Sequence, residues 1–169
     1  MDIENIFKNA KKDPELLANI DIDELLNAIE NETTDYLENK TLKSISDEIY
    51  TSLSNIGCSP EMIHCYCEKL IGYRLVNELY ELHKGKLVKT LKIFDEKNPE
   101  IAPEPILKMQ GKVCSIKFMN NGTYILCIGF PKRYMQYKFD HYLTFQKLSD
   151  DEQLILMAYE KIEESNGNT

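Results

Sequence analysis

Leu25, Leu26, Ile29, Tyr36 and Leu37 recur at helical spacing, with a polar gap at Thr33. Upstream, Asp13-Pro14 pairs an N-cap residue with a proline suited to a first helical turn. Asn39-Lys40-Thr41 interrupts the pattern. It resumes at Ile45, Ile49, Leu53 and Ile56, spaced by four, four and three, which is one face of a helix. Gly57 stops it. Ser59-Pro60-Glu61 then combines an N-cap, a proline at the first helical position and an early acid. From there the periodicity predicts one long central helix to His83-Lys84-Gly85, about 24 residues or roughly 36 Å. Tyr66, Leu70, Tyr73, Val76 and Tyr80 line one face of it. Ile63, Ile71, Leu75, Leu79 and Leu82 widen that face, so burial on more than one side is expected.

After Gly85 the period shifts toward two. Leu87, Leu91 and Ile93 fit a strand, whereas residues 95–110, with Pro99, Pro103 and Pro105, read as a loop. Lys112–Met119 and Thr123–Phe130 flank Asn121-Gly122, a hairpin signal because both residues tolerate positive φ. Pro131-Lys132-Arg133 predicts another turn. Met135, Tyr137 and Phe139 share one side of the next strand, and Tyr142, Thr144 and Gln146 alternate with Leu143 and Phe145 on the last. Ser149-x-x-Glu152 is a capping box. It opens a helix whose apolar face is Leu154, Ile155, Met157, Ala158 and Ile162.

The predicted fold is α+β: a helical arm and long central helix, then five short antiparallel strands. Those strands predict a small curled sheet or SH3/Tudor-like barrel, closed by a C-terminal helix. The division follows as residues 1–57 (acidic helical arm), 58–84 (central helix), 85–148 (basic sheet) and 149–169 (C-terminal helix and tail).

Charge sharpens this division. Residues 85–149 hold eleven bases and five acids, a net of +6, within a 169-residue chain of net −8. Residues 1–57 hold thirteen acids and five bases, and residues 150–169 six acids and one base. Either the basic middle meets an external polyanion, or the chain's own acidic helices partly neutralise it. With 43% hydrophobic residues and no apolar run near the roughly 20 needed to span a bilayer, a soluble, non-membrane protein is expected. Met1-Asp2-Ile3-Glu4 is acidic and predicts no signal peptide. The five cysteines, Cys58, Cys65, Cys67, Cys114 and Cys127, then read as reduced thiols of a cytoplasmic or nuclear protein. The sequons at Asn31, Asn39 and Asn121 are expected to stay unmodified.

Candidate chemistry is sparse. Cys58, His64, Cys65 and Cys67 suggest zinc, but Cys65 points about 100° away from His64 on a helix and no second ligand pair completes a tetrahedron. Asp140-His141 resembles half of a dyad, yet neighbours in a strand face opposite ways. Asp150, Asp151 and Glu152 suit a helix N-terminus without any metal. No nucleophile elbow, phosphate loop or HExxH accompanies them. The expectation is no enzymatic activity, no cofactor and no metal.

The stretch "IGFPKRYMQYKFDHYLTFQKL" (128–148) carries six aromatic rings among several cations. Met135, Tyr137 and Phe139 read as core. Lys132, Arg133 and Lys138 read as a solvated basic hairpin, with Tyr134 on the solvent side. Lys132, Arg133, Tyr134 and Lys138 are therefore the candidate contacts for nucleic acid or for a partner.

The segments "GYRLVNELYELHKGKLVKTLKIF", "VCSIKFMNNGTYILC", "YMQYKFDHYLTFQKLS" and "DDEQLILMAYEKIEE" resemble a group of small proteins encoded by giant nucleocytoplasmic large DNA viruses, over roughly residues 70–164. The resemblance implies a shared domain rather than a catalytic signature, in a virion, virus-factory or host-cytoplasm setting. The expected function is a non-enzymatic protein–protein interaction module, docking on a partner protein or a second copy within a larger assembly. The alternative is an accessory protein that binds single-stranded RNA or DNA through the basic sheet.

Overall fold

The computed structural model describes residues 35–167. The helix start at Asp13-Pro14, the stripe positions Leu25, Leu26, Ile29 and Thr33, and the Asn31 sequon lie outside the described residues. In chain order the described elements are a 3₁₀ turn at Asp35–Leu37, α1 (Leu42–Asn55), α2 (Pro60–Lys69), β1 (Tyr73–Val76), a 3₁₀ turn at Leu79–Glu81, β2 (Leu87–Lys92), β3 (Leu107–Met119), β4 (Gly122–Gly129), β5 (Arg133–Lys138), a 3₁₀ turn at Phe139–His141, β6 (Tyr142–Lys147) and α3 (Asp150–Gly167). They fall into two units, one within Met1–Ile45 and Leu148–Thr169, the other Ser46–Lys147. Among the described residues no helix is long and apolar enough to cross a membrane.

In the first unit, local polar chemistry sets the helix starts. Asn39 takes a left-handed φ of 56° and breaks the chain where the pattern broke. Thr41 and Ser44 then bond reciprocally, the Ser44 N–H to Thr41 Oγ1 at 3.1 Å and the Thr41 N–H to Ser44 Oγ at 2.8 Å. At α3 the capping box forms as its spacing predicts. The Glu152 N–H donates to Ser149 Oγ at 3.1 Å, and the Ser149 N–H to Glu152 Oε2 at 2.8 Å. The remaining oxygen, Oε1, accepts from the Tyr36 hydroxyl at 2.7 Å.

In the second unit, α1 ends on a Schellman motif. Gly57 at φ 81° lets its own N–H reach the Ser54 carbonyl, and that of Cys58 reach the Leu53 carbonyl. Ser59 caps α2 by accepting from the Met62 N–H at 3.3 Å, with Pro60 at the first position, a cap worth about 1 kcal/mol.

The long central helix expected over residues 58–84 is absent. α2 stops at Lys69, and Gly72 at φ 81° turns the chain into β1. The apolar density from Leu70 to Leu82 belongs to a buried strand and a 3₁₀ turn, which periodicity alone does not separate from a buried helix. Ile71 and Tyr80, placed on the helix's buried faces, are exposed.

The closed five-stranded SH3/Tudor-like barrel is also corrected. The sheet is single, open and six-stranded, in the order β1-β6-β2-β3-β4-β5, with every pairing antiparallel. β1 is the additional strand. It pairs with β6 (Leu75 opposite Phe145), and β1 and β5 remain as edges. Although open, the sheet curls. Four inter-strand steps separate β5 from β6, about 19 Å if flat. The linking turn Phe139–His141 has three residues, and Tyr137 of β5 reaches Thr144 of β6 at 3.1 Å. The concave side holds Val76, Leu82, Val88, Val113, Ile125, Cys127 and Tyr137, each such buried aliphatic side chain contributing about 1.5–3 kcal/mol.

Two further details differ from expectation. β3 begins at Leu107, inside the stretch read as loop. The hairpin turn is Asn120-Asn121, with neither residue at positive φ; Gly122 instead opens β4 at φ 134° and pairs with Met119.

Candidate functional site

β5 follows the turn Phe130–Lys132, which carries a cis Phe130-Pro131 bond. Along it Met135 and Tyr137 turn inward while Tyr134 and Gln136 are exposed, as the alternation predicts. Phe139 leaves the strand for the 3₁₀ turn.

The candidate residues Lys132, Arg133, Tyr134 and Lys138 separate into two places. Lys132, Arg133 and Tyr134 are exposed at the turn end. Lys138 lies five residues along from Arg133, about 17 Å. Its ammonium stands 2.8 Å from Glu96 Oε1, and its side chain is only 16% exposed, so it is not part of a solvated basic face. The Glu96 hydrogen bond raises the Lys138 pKa, and the Lys138 hydrogen bond holds the Glu96 carboxyl below its usual range. Lys92 is likewise held by Asp95, at 2.9 Å. Two cations of the basic segment are thus neutralised by acids of its own loop.

At the turn end the geometry is different. The β2–β3 register shifts between Val88 and Lys89, and Gly111, at φ 105°, lies where a Cβ would collide with the Ile128 carbonyl. Only glycine permits this close approach of β3 to β4. Beside it opens a trough of about 600 Å³, lined by Leu87, Met109, Ile128, Phe130 and Met135, with Lys112, Lys132 and Arg133 among the other lining residues. The volume lies within the range of ligand-binding clefts. None of these three cations has an ion-pair partner among the described residues. Phe130 is 100% exposed and Met109 48%. The sequence reading selected Lys132 and Arg133. It missed Lys112, Leu87 and Met109, which come from separate strands and meet only through pairing.

The interior behind the trough is polar but closed. The Gln110 amide donates to Thr90 Oγ1 at 2.7 Å, the His83 N–H to Gln146 Oε1 at 2.7 Å, and Tyr137 shares its hydroxyl with Thr144. Arg74, 1% exposed, donates to the Glu81 carbonyl. The bonds of Gln110, Gln146 and Tyr137 satisfy groups that would otherwise be costly to bury. Burial raises the Tyr137 pKa, against a smaller opposing effect of the Thr144 hydrogen bond. Burial pushes the Cys127 thiol up to about 12, with Cys114 adding to the shift. Neither group meets solvent, so this band holds the sheet's curl rather than a substrate.

The remaining candidates stay apart. All five cysteines are free thiols. His64 Nε2 faces Glu68 at 3.4 Å, one helical turn away. Among the described residues no group of His, Cys, Asp or Glu could hold a metal ion. Asp140 and His141 lie on a 3₁₀ turn rather than in a strand. His141 packs edge-on against Phe94 at 4.7 Å, and its Nε2 is 3.7 Å from Glu96. Glu152 is occupied by the cap and by Tyr36.

No family model matches the chain, and no curated protein or solved structure matches it significantly.

Proposed function

We propose that this chain is a non-enzymatic protein–protein interaction module, a subunit of a larger assembly that docks on a partner protein or a second copy. The observation that carries this reading is the apolar trough at the turn end of the sheet, one of whose lining residues, Phe130, is wholly exposed. Single exposed apolar residues are ordinary, whereas a concave group of five is what a docking surface presents. The resemblance to giant-virus proteins supports a virus-encoded assembly in the host cytoplasm or virus factory as its setting. The test is affinity recovery from the native cell at low and high salt, with and without nuclease. Protein partners that survive both treatments support the reading.

One observation favours a second reading. The rings of Phe130 and Tyr134, 100% and 68% exposed, bracket Lys132 and Arg133, an arrangement that suits stacking of single-stranded bases. Against it, Lys138 is already paired with Glu96, which removes one of the cations that would track a phosphate backbone. Nuclease-sensitive recovery in the same experiment would promote this reading over the first.

A further inference from the structure

We propose that the trough and the adjoining β5 edge form a peptide-binding site for an acidic, extended segment of a partner protein, one large apolar side chain of which fills the trough. The inference rests on the interaction-module reading and specifies its ligand.

Three independent features converge there. First, among the described residues β5 pairs with β4 alone, so its outer backbone edge is the place where a further strand can add. Second, Arg133 and Met135 belong both to that edge strand and to the trough lining. A strand added to β5 would alternate its side chains between the face of Arg133 and Met135 and the face of Tyr134, and those on the first face meet the trough at Met135. Met135, Ile128 and Phe130 are the apolar lining residues nearest that edge, with Met109 and Leu87 on the strands farther in, and an aromatic or long aliphatic group fits there. Third, the charge is complementary at one end only. Lys112, Lys132 and Arg133 sit at the trough without ion-pair partners among the described residues, whereas Lys138 at the other end of β5 is held by Glu96. The ligand's acids therefore belong beside Arg133, not spread along the strand. A nucleic acid would carry charge at every residue step, and the Glu96 carboxylate would oppose it at the Lys138 end.

Charged residues on an edge strand also guard against aggregation, and the test separates that role from recognition. A random twelve-residue peptide library displayed on phage is selected against the full chain. The expected peptides carry Asp and Glu clustered on one side of a single aromatic or large aliphatic residue. Their binding should shift the backbone amide resonances of Leu87, Met109, Lys112 and Arg133–Lys138. The double variant Lys132→Glu/Arg133→Glu and the single variant Met109→Glu, both at exposed positions, should each weaken binding at least about tenfold. Recovery of no peptides, of peptides lacking that pattern, or of peptides indifferent to both variants overturns the site. In that case salt-resistant protein partners that dock elsewhere leave the interaction-module reading standing. A short oligothymidylate that shifts these amides while no peptide does ends both.

Discussion

Lys138 Nζ and Glu96 Oε1, 42 residues apart in the chain, lie 2.8 Å from each other. The pair ties the proline-rich loop to the far end of β5 and divides the basic segment into a neutralised end and an unpaired end. Glu96 has its carboxyl pKa lowered by Lys138, so its contribution is present above the ordinary carboxylate pKa and lost as pH falls through the depressed folded value. Urea titrations should show Lys138→Met less stable than wild type at pH 7, with the difference closing below about pH 4. A difference that persists undiminished into acid would mean that the lysine stem, not the ion pair, matters.

Cys58 and Cys127 are buried, and Cys65, Cys67 and Cys114 are partly accessible. Native-state alkylation should label those three first, with Cys58 and Cys127 reacting only on unfolding. Because burial pushes the Cys127 pKa from 9.0 to about 12, the unfolded chain loses its proton first as pH rises. Stability should therefore decline as pH climbs from 9 toward 12. Rapid native labelling at Cys127 would contradict the closed concave core.

Gly111→Ala should cost roughly 2–4 kcal/mol, because it combines an unfavourable φ with a clash against the Ile128 backbone. Gly122→Val should cost about 1–3 kcal/mol through its φ, its Cβ meeting a side chain, that of Lys138, rather than backbone. Thermal melts that rank the two in the opposite order would contradict the β3–β4 register.

The contrast between these glycines and Gly72 bears on what a sequence can reveal. Helix starts, stops and alternation are local, so Ser149 with Glu152, Ser59 with Pro60, and the in–out pattern of β5 were legible. The long helix expected over residues 58–84 ran across Gly72, because Leu70, Tyr73, Val76 and Tyr80 also satisfy helical spacing. Nothing local reports that β6 will insert between β1 and β2 and convert that segment into an edge strand. The site was half legible for the same reason. Lys132 and Arg133 stand together in the sequence, while Leu87, Met109 and Lys112 join them only through non-local pairing, and Lys138 is withdrawn by a loop acid 42 positions upstream.

Tyr134, 68% exposed and outside the trough lining, separates docking from stacking. Tyr134→Ala should change stability by less than about 0.5 kcal/mol and leave the affinity for a selected peptide within about threefold of wild type. Loss of about 1–3 kcal/mol in binding to a single-stranded oligonucleotide would instead identify a base-stacking surface.

The central claim is that the unpaired cations of the trough recognise protein. The most direct measurement is quantitative recovery of partners from the native cell after nuclease treatment at high salt, comparing wild type with Lys132→Glu/Arg133→Glu. The account predicts a defined set of proteins with wild type, depleted at least about tenfold with the variant. Recovery that vanishes on nuclease treatment, or that is equal for the two chains, would contradict it.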